Sequence, residues 1–416
     1  MNLEKKKPEL LMPAGDLETL KVAVIYGADA VYIGGDMYGL RAKAKNFSME
    51  EMKEGIAFAH SYNKKVYVTA NITAHNDDLE GLRKYFKELK DFGDDKPDAL
   101  IITDPGVFTI AKEVVPEIDV HISTQANNTN YATFRFWYNL GATRVVAARE
   151  LSLREIAQIR ENIPTDMEIE AFIHGAMCIA YSGRCLLSNY FTGRDANLGE
   201  CTHSCRWKYY IVEEKRPGMY LPIEENERGT YIFNSKDLCM IEYIPELIEA
   251  GVDSFKVEGR MKTALYVATI ARTYRKAIDD YYTDPDLYEK NKPYYLEEVA
   301  KGVNRQFTTG FFFHKPNEED HNFGTSSYIR KYEFVGIVMD YDEKNGHNII
   351  EQRNKFSVGD RIEVLPPEGP FFEVDIDKML DGEGNNIDSA PHPQMTVRLP
   401  SMPLPRYSIL RKASKN

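Results

Sequence analysis

Short β-rich runs alternate with amphipathic helical stretches from the N-terminus to about residue 282. Between the strands, apolar residues recur three and four positions apart, as in 17–26, 79–92 and 153–162, which is typical of helices packed on one face. Alternating strands and helices form a parallel sheet, and eight strands at this spacing predict a closed (β/α)8 TIM-like barrel. The strands are predicted at 9–12, 30–34, 66–71, 99–104, 120–125, 144–148, 167–174 and 254–258.

An open doubly wound sheet is the alternative architecture. The chain contains neither a glycine-rich dinucleotide fingerprint nor a P-loop that would favour it.

Helix starts are marked at two places, where Ser48 precedes an apolar-periodic run and where Ser152 is followed three residues later by Glu155.

The alternation is interrupted between the seventh and eighth strands, where residues 175–253 form an insertion much longer than an ordinary βα loop. Insertions at this end of a barrel are usually functional. We divide the chain into a barrel over 1–282, a helical and irregular linker over 283–331, and a small β-barrel domain over 332–416. The last of these contains short strand-like runs between turn signals such as Asn345-Gly346.

Charge and hydropathy limit the partners. The formal net charge of −12 argues against a broadly basic nucleic-acid surface, although residues 395–416 carry five basic residues and no acid. That basic tail is either a solvated surface or an RNA contact. No apolar run approaches the roughly 18 residues that span a bilayer, and no signal peptide is visible, so we expect a cytoplasmic protein without a membrane partner.

Alternate residues of several predicted strands are polar where a barrel lumen is normally filled by aliphatic side chains. Internal ion pairs, such as Lys256 with Glu170, would explain single members of this set. For the set as a whole we predict a site for a small polar or anionic ligand at the C-terminal mouth of the barrel. The residues predicted to line it are Asn71, His121, Gln125, Arg149, Glu170, His174, Lys256, Glu258 and Arg260.

All five cysteines lie in the insertion, and four of them have the spacing Cys178-x6-Cys185-x15-Cys201-x3-Cys205. Clustered cysteines in a reducing compartment are metal ligands more often than disulfides. The six-residue gap is wider than a zinc knuckle, which favours an iron–sulfur cluster over zinc, with inert thiols as the remaining alternative. Cys239 could replace Cys205 as the fourth ligand.

Several segments resemble the motifs of the peptidase U32 family. EAFIHGAMCIAYSGRCLLS at 170–188 is similar to the family signature. CTHSCRW at 201–207, NSKDL at 234–238, KVEGR at 256–260, LMPAG at 11–15, GADAVY at 27–32 and NKFSVGD at 354–360 are similar to its other motifs. Within the family the chain most resembles bacterial prephenate-dependent tRNA hydroxylation proteins.

That resemblance implies hydroxylation of the wobble uridine of tRNA to 5-hydroxyuridine, with prephenate or a similar small carboxylate as co-substrate. It also implies a [4Fe–4S] cluster on Cys178, Cys185, Cys201 and Cys205, and an electron donor as a further partner. The C-terminal domain resembles the small β-barrels of translation factors, which suits an RNA partner.

Roles at the site follow from the strand faces. Lys256, Arg260 and Arg149 would pair with a dicarboxylate, and His174, His121 and Glu258 would transfer protons. Trp207 or Tyr181 would stack on a flipped base. Two other functions remain open, which are a collagenase-like peptidase, as the family label implies, and an RNA-binding iron–sulfur protein without catalysis.

Overall fold

The computed structural model describes residues 6–39, 46–178, 180–182, 184–194, 196, 201–207, 210–211, 221–222, 235–316, 320 and 328–414. In chain order its first part contains β1 (Glu9–Pro13), α1 (Leu17–Ile25), β2 (Ala30–Gly34), α2 (Met49–Ser61), β3 (Lys65–Ala70), α3 (Leu79–Lys90), β4 (Ala99–Ile102), α4 (Pro105–Val114), β5 (Asp119–Ile122), α5 (Tyr131–Asn139), β6 (Arg144–Val146), α6 (Leu153–Glu161), β7 (Glu168–Gly175), α7 (Leu187–Thr192), β8 (Tyr210–Ile211), β9 (Leu221–Pro222), β10 (Asp237–Cys239), α8 (Ile244–Glu249), β11 (Ser254–Val257) and α9 (Ala264–Thr283).

The second part contains α10 (Pro285–Val299), β12 (Phe307–Thr308), β13 (Tyr332–Asp342), β14 (His347–Gln352), β15 (Phe356–Ser357), β16 (Arg361–Leu365), β17 (Phe372–Asp375), β18 (Met379–Leu380), β19 (Asn386–Ile387), β20 (Ser389–Ala390), β21 (Thr396–Pro400) and β22 (Ile409–Ala413).

Strands β1 to β7 and β11 form a closed parallel barrel. β1 lies between β2 and β11, and β11 also pairs with β7, which places Ser254 opposite Glu170 and completes the cylinder. Outward side chains such as Leu10 and Met12 belong to the large core shared with the helices. Inward side chains such as Tyr32 and Ile101 form a separate cluster inside the lumen. The predicted barrel is therefore confirmed.

The helices that surround the barrel begin where the sequence marks their caps. Ser48 and Ser152 each accept a hydrogen bond from the backbone N–H of the third helical residue, in complete capping boxes. The sequence analysis did not identify α4, which begins at Pro105 with Asp104 as its N-cap.

The end of the predicted insertion belongs to the barrel. β10 pairs antiparallel with the end of β7, and α8 takes the position of the seventh outer helix, where its buried residues Ile244 and Leu247 join the main core. The excursion away from the barrel is therefore shorter than 175–253 and lies between β7 and β10.

The C-terminal part is an antiparallel sheet with the strand order β17-β16-β22-β13-β14-β21-β18-β19, and β15 pairs separately with β20. Its strands enclose a core of their own, which includes Val338, Phe356 and Leu410. In the described residues, no strand pair joins β17 to β19, so we describe it as an antiparallel sheet rather than a closed barrel.

The predicted basic tail is largely engaged in structural contacts. Arg411 is fully buried and donates to Glu298 and Glu363, while Lys412 pairs with Asp360 at 2.8 Å. Among the other basic residues of this tail, Arg398 faces Asp342, Arg406 lies over the Tyr407 ring, and Lys415 is outside the described residues. The tail therefore attaches the C-terminal sheet to α10 and offers little free charge for RNA.

No helix in the described ranges has both the length and the apolar character that crossing a membrane requires.

The lower lumen of the barrel contains a buried ionic network. Arg144 on β6 contacts Glu9 at 2.6 Å, Glu168 at 2.6 Å and Glu170 at 3.1 Å. Burial alone would raise the pKa of Glu9, but the Arg144 charge and its hydrogen bonds outweigh burial and lower it. Lys256 on β11 supplies a second cation to Glu170 at 2.6 Å. The network satisfies charges that a closed barrel cannot hydrate.

We expect Arg144→Met to lower the free energy of unfolding of the barrel by about 3–5 kcal/mol, because it leaves buried carboxylates without their cation. Urea unfolding, followed through the fluorescence of the buried Trp137, would measure the loss. Arg83→Met is the matched control, since Arg83 is half-exposed and its pair with Glu113 should contribute no more than about 1 kcal/mol. Equal losses in the two variants would contradict the network's importance.

Candidate active site

The upper lumen begins with the Lys256–Glu170 ion pair. Both side chains are buried, and the Lys256 ammonium also lies 4.5 Å from the centre of the Tyr32 ring and 5.5 Å from that of Phe172. The structure thus forms the internal ion pair that the sequence left as an alternative. Glu170 serves as the shared counter-ion of Lys256 and Arg144, a role that its complete burial favours over direct substrate binding.

Arg149 lies above this layer, just beyond β6. Its guanidinium donates to the Ala176 carbonyl at 2.7 Å and to Glu258 at 3.1 Å, and it stacks 3.8 Å above the centre of the Phe172 ring. A guanidinium held on three sides loses little freedom on binding a carboxylate. Arg149 and Glu258 therefore form a fixed pair of opposite charges at the C-terminal mouth.

Arg260 extends from the loop after β11 across the tips of β2 and β3. It donates to Asn46 at 2.8 Å and to Thr69 at 3.3 Å. Gly34 makes room for it, because a Cβ atom at that position would lie 2.2 Å from the Arg260 Nη2 atom. Arg260 and the inward position of Thr69 were predictable from the strand faces, whereas Gly34 and Asn46 were not predicted. Only the double glycine at 34–35, at the end of a strand, indicated a close approach.

Two amide side chains occupy the neighbouring arc of the mouth. The Asn71 side chain donates to Gln125 at 3.4 Å, and the Thr103 hydroxyl donates to the same Gln125 oxygen at 3.3 Å. Asn71 and Gln125 are half-buried, so these groups are organised and still accessible. Arginine, carboxylate and amide groups thus converge at the C-terminal end of the strands, as the strand faces predicted.

His174 does not face the lumen, which corrects the sequence analysis. The β7–β11 register shifts between Lys256 and Val257, which pair with Phe172 and His174 respectively, so β7 has one extra residue at this point. Such a bulge turns the following side chain away from its expected face. The imidazole lies against α9 instead, with its Nδ1 atom 3.3 Å from the Tyr274 hydroxyl. Burial, assisted by the Lys262 charge, lowers the pKa of His174 to about 3.

His121 faces the lumen but lies at the level of the ionic network. Its ring contacts Tyr67 with 4.6 Å between ring centres, and it is 4% exposed. Burial and the charges of Arg144 and Lys256 hold the pKa of His121 well below its usual value. Both histidines are therefore neutral and weakly basic, which leaves Glu258 as the predicted proton-transfer residue that lies at the mouth.

The cysteines divide into two environments. Cys178 and Cys201 are exposed and Cys185 and Cys205 partly exposed, whereas Cys239 is buried. The Cys239 thiol lies 3.9 Å from the Tyr274 hydroxyl on the outer side of β7, and burial raises its pKa to about 12. A metal ligand must be deprotonated, so this environment favours Cys205 over Cys239 as a fourth ligand.

The four remaining thiols do not form a site for a single metal ion among the described residues. All five cysteines lie within the described residues and none forms a disulfide. Across the described residues, no three histidine, cysteine or carboxylate side chains lie close enough together to hold a metal ion. The donor set is present on one excursion, but its assembly around a common centre remains a prediction.

Trp207 and Tyr181 also lie on the excursion. Their side chains are 47% and 46% exposed respectively. The Trp207 ring is 6.3 Å from that of Phe191, so it belongs to a surface group rather than to the protein core.

The free energy of unfolding should fall as the pH is lowered from about 6.5 towards 3, partly because of His174. In that window the unfolded chain binds a proton at this histidine and the folded chain does not, which costs about 1.4 kcal/mol per pH unit. His174→Gln should therefore show a shallower acid dependence than the wild type in urea unfolding between about pH 6 and pH 4. His392→Gln, at an exposed position, should keep the wild-type dependence. Identical slopes for all three proteins would contradict a buried, neutral His174.

Known proteins resemble this chain along most of its length. Residues 15–322 match the model of peptidase family U32, and residues 330–411 match that of the peptidase family U32 C-terminal domain. The chain is 46% identical over 393 residues to tRNA hydroxylation protein P1 of Bacillus subtilis strain 168, covering 94% of this chain and 92% of that protein. It is 39% identical over 437 aligned positions to tRNA hydroxylation protein P of Escherichia coli K12, covering 95% and 94%.

A third relative acts on a different RNA. The 23S rRNA 5-hydroxycytidine synthase of Escherichia coli K12 is 39% identical over 279 residues, which cover 67% of this chain and 40% of that protein. The two family matches together cover the barrel from α1 onwards, the excursion and most of the C-terminal sheet. The chain belongs to the peptidase U32 family.

Proposed function

We propose that this protein hydroxylates tRNA, converting the wobble uridine to 5-hydroxyuridine. Two relatives that cover nearly the whole chain are named for tRNA hydroxylation, and a third is named for 5-hydroxycytidine formation in 23S rRNA. Hydroxylation of an RNA base is the chemistry that these names share. The wobble position and the 5-hydroxyuridine product follow from the resemblance noted in the sequence.

The observation that carries the proposal is the polar mouth of the barrel. Arg149, Glu258, Arg260 and the Asn71–Gln125 pair surround the C-terminal end of the lumen, where barrel enzymes bind their substrates. Amide groups can read the edge of a uracil ring through hydrogen bonds. A base extruded from an RNA loop would have to enter here, because the ionic layer below closes the lumen.

We propose prephenate, or a similar small dicarboxylate, as the co-substrate at the same mouth. Arg149 and Arg260 are the cations best placed to bind it, since each already has a fixed orientation and a guanidinium matches the geometry of a carboxylate. Lys256 was predicted to share this role, but its ammonium is committed to Glu170 at 2.6 Å. We therefore assign Lys256 the indirect role of keeping the floor of the site electrically balanced.

Glu258 is our candidate for proton transfer. Its carboxylate accepts from Arg149, and the side chain is 17% exposed, so it can meet a ligand at the mouth. His121 and His174 are both buried, with lowered pKa values, and neither can be protonated near neutral pH. Glu258 is thus the acid–base group, and Arg149 orients its carboxylate.

We further propose that Cys178, Cys185, Cys201 and Cys205 hold a [4Fe–4S] cluster. All four are at least partly exposed thiols outside any disulfide, on the excursion that leaves the C-terminal end of β7. Such a cluster, when bound, would supply one-electron redox chemistry. Because the described residues hold no ready-made site for a metal ion, we propose that binding orders the excursion, as metal binding commonly does. The electron donor and an RNA-binding role for the C-terminal sheet are further expectations.

A peptidase function has weaker support. A cysteine peptidase would need a thiol nucleophile and a base, for which Cys178 and His174 are the candidates. His174 is buried against α9 with a pKa of about 3, so it is a poor base for an exposed thiol. An RNA-binding iron–sulfur protein without catalysis differs from our proposal only in forming no product.

Anaerobic purification with iron and sulfide quantitation tests the cluster. We expect about four irons per chain in the wild type, and a large loss of iron in Cys178→Ser, Cys185→Ser, Cys201→Ser and Cys205→Ser. Cys239→Ser is the matched control and should retain iron, because its thiol lies on the outer side of β7. Full iron content in the four single variants, or loss only in Cys239→Ser, would contradict the ligand set.

Mass spectrometry of tRNA nucleosides tests the function. A strain without this protein or any homologue should lack 5-hydroxyuridine, and the wild-type chain should restore it. Arg149→Met should reduce the rate of product formation by roughly 30-fold or more, since truncating a buried charged partner costs about 2–5 kcal/mol. Glu258→Gln should also be impaired. Arg154→Met, an exposed arginine on α6, should complement fully.

Unchanged 5-hydroxyuridine in the deletion strain would refute the tRNA proposal. Normal iron and tight tRNA binding without any product would favour the non-catalytic alternative.

A further inference from the structure

Three aromatic side chains of the excursion form an exposed group, which we call the aromatic face. It consists of Tyr190 and Phe191 on α7 and Trp207 beyond it, with 81%, 42% and 47% of their surfaces exposed. The ring centres of Tyr190 and Phe191 are 5.1 Å apart, and those of Phe191 and Trp207 are 6.3 Å apart. Contiguous exposed aromatic surface of this kind usually marks a binding site.

The aromatic face lies on the same end of the barrel as the candidate active site. The excursion that carries α7 leaves the barrel at the C-terminal end of β7, which is the end where the mouth lies. The Thr202 backbone N–H donates to the Ser188 hydroxyl at 3.0 Å, which ties α7 to the segment that carries Trp207. The three rings are therefore held together by contacts within the excursion.

Exposed arginines accompany this face. Between residues 176 and 207 the sequence has three arginines and two acidic residues, and two of the arginines, Arg184 and Arg194, are exposed. The protein as a whole has a formal net charge of −12. Aromatic rings flanked by arginines are the composition of surfaces that bind single-stranded nucleic acid, where every unpaired base offers a ring to stack on.

We infer that the aromatic face binds unpaired nucleotides of the RNA loop next to the target uridine, and that Tyr190 is the principal stacking residue. This inference rests on the proposed function, because it takes RNA as the substrate. The aromatic face would bind the neighbouring bases, which do not react, and the barrel mouth would bind the target uracil. A base inside a duplex is stacked on both sides, so this face distinguishes loops from paired RNA.

Fluorescence anisotropy with the iron-loaded full-length protein tests the inference. The probes are a labelled anticodon stem–loop RNA and a fully paired RNA duplex of equal length. Tyr190→Ala should weaken stem–loop binding by about 5- to 100-fold, the loss expected for one stacked base, while duplex binding stays unchanged. Tyr190→Phe keeps the ring and should bind within about threefold of the wild type.

Tyr62→Ala is the matched control. Tyr62 is also an exposed tyrosine packed on a phenylalanine, with its ring 5.0 Å from that of Phe58, but it lies at the C-terminal end of α2 on the opposite end of the barrel. It should not change either affinity. Because Tyr190 is 81% exposed, its replacement should not disturb folding, and an unchanged urea transition would verify this.

Wild-type affinity of Tyr190→Ala for the stem–loop, an equal loss on the duplex, or failure of Tyr190→Phe to bind would each overturn the inference. Its failure is distinguishable from failure of the proposed function. Selective loop binding that depends on Tyr190, without any hydroxylated product, would support the role of the aromatic face and contradict the proposed hydroxylase activity. Normal product formation together with unchanged loop binding by Tyr190→Ala would support the hydroxylase activity and contradict RNA binding by the aromatic face.

Discussion

The pairing of β7 with β11 closes the barrel, and the electrostatics of the molecule depend on that closure. It removes Glu170 completely from water, and a buried carboxylate must be balanced from within the protein. Arg144 and Lys256 provide that balance from either side. The lower lumen is consequently filled with satisfied charges, and the side chains above it, beginning with Arg149, line the mouth.

The register shift in the same strand pair determines which β7 side chains face the lumen and which face the surrounding helices. Beyond Phe172 the extra residue turns His174 towards α9, where Tyr274 links it to Cys239 on β10. His174, a predicted proton-transfer residue, and Cys239, a predicted alternative ligand, therefore become part of the packing that anchors β10 to β7. This anchor gives the excursion a fixed end point, because β10 pairs with the last residues of β7.

Alternation along the strands was sufficient to predict the barrel and the lumen-facing positions of His121, Glu170 and Lys256, because a pleated strand has a strict period of two. It failed at His174, since a bulge arises from the pairing of two distant strands and leaves no local pattern. The basic tail was misleading for a similar reason. The carboxylate partners of Arg411 come from α10 and β16, so a count of local charge could not reveal that they neutralise it.

An acidic protein that acts on RNA cannot obtain its affinity from a broad phosphate-binding surface, since that mode requires many free cations. In this chain several of the candidate cations, including Arg144, Lys256 and Arg411, are buried in ion pairs. The proposed RNA contacts are therefore few and local, made by exposed rings and the arginines beside them. Stacking and base-edge hydrogen bonds act only on bases that are not paired, so contacts of this kind favour a loop over a helix.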